Sequence, residues 1–198
     1  MRIAEAAKRI TAAAGRVLDA EGVERVSMRR VADAVGITAM AIYRHFPDRA
    51  ALLNAVADQG FAILADSVRK RRFRGSPEVQ LAKMIEIYLE FSLKYPRQFE
   101  LMFLTKRQGA RRFPSDFKAG RSPTANQMAA LIRQGVDEGI FRADDPWEIA
   151  FEMGALSHGM IMLYLGGRID ASQAGFRALY RRAFQRYIRG ICADLKGA

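Results

Sequence analysis

Apolar residues recur along this chain at the three-and-four spacing of helices, and no stretch shows the strict alternation of a half-buried strand. Ile3, Ala6, Ala7, Ile10, Ala14, Val17 and Leu18 trace one stripe that closes at Gly22, predicting a first helix of about five turns. Ser27 can cap a second helix, on which Val31, Ala32 and Val35 share an apolar face before Gly36 stops it. Ile37 reads as an apolar plug after the turn, and Thr38 as the cap of a third, short helix whose Ile42 and Phe46 pack on the second. Pro47 ends that helix, because proline disfavours helical geometry in the residue before it. Asp48 then opens a fourth helix running through Leu52, Leu53, Val56, Phe61 and Leu64 into the basic run RKRRFR at 69–74.

Beyond the Gly-Ser-Pro break at 75–77 the same spacing predicts five more helices. Leu81, Met84, Ile85, Tyr88 and Phe91 mark the fifth, ending before Pro96, and Phe99, Met102 and Phe103 a short sixth. Residues 108–123 turn to Gly, Pro, Arg and Ser and read as a mobile basic loop. Met128, Leu131, Ile132 and Val136 define a seventh helix closing at Gly139, and 147–165 and 171–195 the last two. The eighth is apolar nearly all round and should be covered on two sides. The ninth sets Phe176, Leu179, Phe184, Tyr187 and Ile191 against an arginine face of Arg177, Arg181, Arg182, Arg186 and Arg189. The expected fold is therefore all-α with about nine helices: an N-terminal three-helix head over 1–65, joined through the fourth helix to a helical body over 66–198. The last two helices suggest a homodimer through a four-helix interface, the alternative being that they complete a monomer core.

Two short helices around a tight turn, SMRRVADAVGITAMAIYRHFPDR at 27–49, form a unit able to enter the DNA major groove. The third helix is too short to bury much, which leaves Thr38, Ala39, Met40, Tyr43 and Arg44 free to face a partner. Composition agrees: 32 Lys and Arg against 21 Asp and Glu give a formal net charge of +11, which favours anionic partners such as nucleic acid or a lipid surface. Half the residues are hydrophobic, so disorder is not expected.

The stretch VADAVGITAMAIYRHFPDRAAL, with Gly36, Tyr43, His45, Phe46 and Leu52 in the family's places and order, resembles the operator-binding segment of TetR (tetracycline-repressor-like) transcriptional regulators, over roughly 2–64. That resemblance implies contact with a double-stranded DNA operator through Arg29 at the start of the second helix and through the third helix. It also implies phosphate contacts from Tyr43, His45 and Arg49, where Arg49 replaces the more usual Lys. His45 has an equal alternative as a packed residue of the corner between the third and fourth helices. The reading helix departs from expectation, because Thr38 is the single side-chain donor among 38–41 and nothing there suits bidentate base readout. Specificity would rest on Arg29, Arg44, thymine-methyl contacts and DNA shape.

For the body, the resemblance implies a pocket for a small-molecule effector between the fourth to eighth helices. Candidates on the fourth to sixth helices are Phe61, Leu64, Tyr88, Phe91, Met102 and Phe103; those on the seventh and eighth are Met128, Phe151, Ala155, His158 and Met162. Each also reads as ordinary core. His158 is the one polar group amid its apolar stripe, fit either to hydrogen-bond a ligand or to sit as a satisfied core histidine.

No enzyme is expected: two histidines, one cysteine, no Gly-rich phosphate loop, and Glu86 and Glu90 without ligand partners supply neither a metal centre nor a cofactor site. The lone Cys192 excludes an internal disulfide and fits a reducing cytoplasm. No signal peptide or membrane span is legible, which fits a cytoplasmic protein, and the family resemblance implies a ligand-responsive repressor as the leading expectation. The alternative is a basic helical protein that binds DNA or membrane surfaces without an effector.

Overall fold

The computed structural model describes residues 2–193, Arg72 and Gln108 excepted. Among the described residues ten α-helices run in the order α1 (Arg2–Glu21), α2 (Met28–Val35), α3 (Ala39–Tyr43), α4 (Arg49–Arg69), α5 (Pro77–Lys94), α6 (Pro96–Phe103), α7 (Ser115–Lys118), α8 (Pro123–Asp137), α9 (Pro146–Leu165) and α10 (Gln173–Ile191). A 3-10 turn, Val23–Arg25, joins α1 to α2. Among the described residues the one extended pairing is an isolated bridge between Phe141 and Cys192.

The helices form two compact units, one of residues 1–63 and 91–110, the other of 64–90 and 111–198. In the first, Ile10, Ala14, Val17 and Leu18 of α1, Val31 and Ala32 of α2, Ile42 of α3 and Leu52 and Val56 of α4 are all buried. Here α6 packs on α1, and the Arg97 guanidinium donates to the Asp19 carbonyl oxygen at 2.9 Å. In the second unit α9 packs on both α8 and α10. Phe176, Tyr180, Phe184 and Ile188 form the buried stripe of α10, and Tyr180 Oη lies 2.5 Å from Ser157 Oγ of α9.

Three details differ from the sequence expectation. Within the predicted loop 108–123 lies the one-turn helix α7, because the Asp116 carboxylate accepts from the Arg112 backbone N–H at 2.7 Å and from the Arg121 guanidinium at 2.8 Å and so closes the segment on itself. The last helix ends at Ile191 rather than 195: Cys192 is extended, and the chain pairs with 140–142 through Arg142 N–H to Ile191 O and Ala193 N–H to Ile140 O, both 2.9 Å. Leu195 lies outside the described residues. Among the described residues the two sides of α9 are covered only in part: Phe151 is 42% and Leu163 49% exposed, and Ala155 and Leu165 are open as well, whereas His158 and Met162 are half-buried.

Candidate nucleic-acid interface

The starts of α2, α3 and α4 are each set by a side-chain contact three residues long. Ser27 Oγ accepts from the Arg30 N–H at 3.1 Å and Thr38 Oγ1 from the Ala41 N–H at 3.2 Å, satisfying donors that a helix start leaves without a partner. Gly36 ends α2 at φ +74°, a left-handed conformation that costs glycine little. The Asp48 carboxylate accepts from the Ala51 N–H at 2.7 Å and starts α4. Buried Ile42 and Phe46 hold α3 down, while Met40 (68% exposed) and Tyr43 (48%) point outward together with Thr38 and Arg44. Ile37, read as a plug, is itself exposed.

Arg29 stands exposed beside this surface. Its neighbour Arg30, which sequence reasoning passed over, forks onto Glu21: Nε donates to both carboxylate oxygens at 3.1 and 3.2 Å, and an Nη to Oε1 at 2.5 Å. That pair ties α2 to the end of α1, holding the Glu21 carboxyl below its ordinary range first through the hydrogen bond from Arg30. Arg49 is also engaged: its Nε donates to the Val26 carbonyl oxygen at 2.7 Å and an Nη to that of Val23 at 2.6 Å. His45 is half-buried, as both of its readings allow. Neither arginine contact has a local signature, since the partners lie nine and more than twenty residues apart.

The matches to known proteins agree with this geometry. Residues 10–56 match the model described as bacterial regulatory proteins, tetR family, and residues 81–187 that of a tetracyclin repressor-like C-terminal domain. The chain belongs to the TetR family of transcriptional regulators. An HTH-type transcriptional regulator of Staphylococcus aureus (strain USA300) is 25% identical over 194 residues, covering 96% of this chain and 94% of the relative. Among solved structures, a Rhodococcus sp. RHA1 protein of unknown function superposes with a TM-score of 0.77 at 24% identity, covering 93% of this chain and 94% of that one. A single-substitution variant of TetR from Acinetobacter baumannii AYE, solved in complex with minocycline, superposes at 0.67 with 20% identity, covering 91% and 93%. As a member of this family the chain is a DNA-binding transcriptional regulator, and regulators of this type bind DNA operators and small-molecule effectors as dimers.

The residues expected to line an effector pocket divide between the two units. Phe61, Phe91, Met102 and Phe103 belong to the first, where the rings of Phe61 and Phe103 meet edge-on at 5.1 Å and Phe91 and Met102 are buried. Leu64, Tyr88, Met128, Phe151, Ala155, His158 and Met162 belong to the second. Leu64 is buried, Met128 and Met162 half-buried, and Ala155 exposed. Tyr88 and His158 face each other with ring centroids 5.6 Å apart. Burial holds His158 neutral by lowering its pKa to about 4, and raises that of Tyr88 well above its ordinary value. Phe151 instead stacks on Phe113 at 4.2 Å on the open side of α9. The second unit also carries a groove of about 290 Å³ between α5 and α10, floored by Val79, Ala82, Ile85 and Phe184 and edged by the Glu86–Arg181 ion pair; none of the expected residues lines it.

Proposed function

We propose that this regulator is a repressor that binds a near-palindromic operator as a homodimer and is released by a small, largely apolar ligand. The observation that carries the reading is the outward face of α3, apolar at Met40 and polar at Thr38, Tyr43 and Arg44, on a helix anchored by Ile42 and Phe46. In this reading Arg29, Thr38, Ala39, Met40 and Arg44 meet base edges and thymine methyls, while Tyr43 and His45 hold phosphates. The homodimer is supported by the exposed apolar side chains of α9, Phe151, Leu163 and Leu165, which a second copy would bury. Release by a ligand is supported by the minocycline complex of the A. baumannii relative and by the meeting of the Tyr88 ring with the neutral imidazole of His158, an aromatic and a polar group side by side. Such a ligand acts by binding more tightly to the form that does not fit the operator.

Mobility shifts on a selected operator and on scrambled duplex, at fixed salt, test these roles. Tyr43→Phe should weaken both complexes by a similar factor, whereas Met40→Ala should change the preference among bases at one position of each half-site. A Tyr43→Phe variant that altered base preference, or a Met40→Ala variant with none altered, would show the roles to be wrongly assigned.

A further inference from the structure

Arg49 occupies a position where the family resemblance implies a phosphate contact, yet its guanidinium is turned onto the protein's own backbone. Two N–H groups on one side of its fork reach the carbonyl oxygens of Val26 and Val23, at 2.7 and 2.6 Å. Those carbonyls bracket the 3-10 turn Val23–Arg25, which is itself closed by the Val26 N–H donating to Val23 O at 3.1 Å. Val26 is fully buried and directly precedes Ser27, the cap of α2. Holding this turn therefore fixes where α2 starts, and Arg29 is the second residue of α2. The far end of the clamp is equally firm: Arg49 is the first residue of α4, and Asp48 caps that helix at the Ala51 N–H.

We infer that Arg49 is a positioning residue of the reading head, a clamp from the start of α4 to the turn before α2 that sets the orientation of Arg29, and not a phosphate contact. The inference rests on the operator reading above only for its consequence in DNA binding; the clamp itself is a property of the free protein. It works beside the Glu21–Arg30 pair, so α2 is tied to its neighbours by one arginine of its own and one from α4. Guanidinium geometry matters here, because two carbonyls are met by one rigid fork that a single ammonium on a flexible stem does not reproduce.

The test compares Arg49→Ala and Arg49→Lys in the full chain by amide hydrogen exchange without DNA and by operator binding across a salt series. The clamp predicts faster exchange at Val26, Arg30 and Val31 in both variants, with the rest of the chain unchanged. It also predicts operator affinity lowered about tenfold, the scale of a lost charge-assisted hydrogen bond, with the same salt slope as the unaltered chain. Lysine, though it restores the charge, should recover little. The inference is overturned if exchange is unchanged, if lysine restores full affinity, or if Arg49→Ala makes the salt slope shallower by about 0.9, the signature of one lost phosphate contact. Absence of specific binding by the unaltered chain would refute the operator reading alone, and exchange would still decide on the clamp.

Discussion

His158 shows what one buried side chain imposes on the second unit. Its folded pKa of about 4 lies below the ordinary 6.5, so the unfolded chain binds the extra proton first as pH falls. Stability from the neutral imidazole is thus fully present above about pH 6.5 and is lost as pH drops towards 4, by up to about 3 kcal/mol. Thermal melts should show that loss between pH 6.5 and 5, and His158→Gln should flatten it; an equal slope in the variant would assign the loss elsewhere. His158 is conspicuous in the sequence as a polar residue on an apolar helix, but its ring neighbour Tyr88 lies seventy positions earlier and is brought opposite only by the fold. Ser27, Thr38 and Asp48 were legible as caps because each acts three residues away. Arg30 and Arg49 act through partners that only the folded chain brings near.

Helices were legible where their signals are local. Gly36 bounded α2, Pro96 opened α6 and Asp48 opened α4 where expected, but α3 closes at Tyr43, before Phe46 and the expected stop at Pro47. The end of α10 was missed because it is set by hydrogen bonds to 140–142, fifty residues distant, and α7 because one turn held by a side chain leaves no periodicity. The same limit explains Gly135, an unremarked glycine inside α8. A methyl group there would run into the ring of Phe141, which is buried on the bridge to Cys192. Gly135→Ala should therefore lose about 1–3 kcal/mol in denaturant unfolding despite its better helix propensity. Gly15→Ala, in open space on α1, should gain about 0.5–1 kcal/mol from propensity alone. Destabilisation of both alike would mean that the Phe141 contact is not what distinguishes Gly135.

On the scale of the whole molecule, the apolar side chains that α9 exposes among the described residues and the +11 net charge bear on the same question. Charge accelerates and strengthens association with any duplex but carries no sequence information. One short reading helix, apolar across 39–42, discriminates weakly by itself. Two copies joined by a symmetric interface would read two half-sites and multiply that discrimination, which is how a weak reader serves a regulator. The body is less legible than the head because a covered and an exposed apolar residue look the same in sequence: nothing local marks Phe151 as 42% exposed and stacked on Phe113. The most direct measurement is selection of duplexes from a random pool by the full chain at fixed, near-physiological salt. The expected result is enrichment of an inverted repeat whose half-sites lie about one helical turn, roughly 34–36 Å, or a multiple of it apart. Recovery of sequences with no common element, at a salt where the chain still binds DNA, would contradict it.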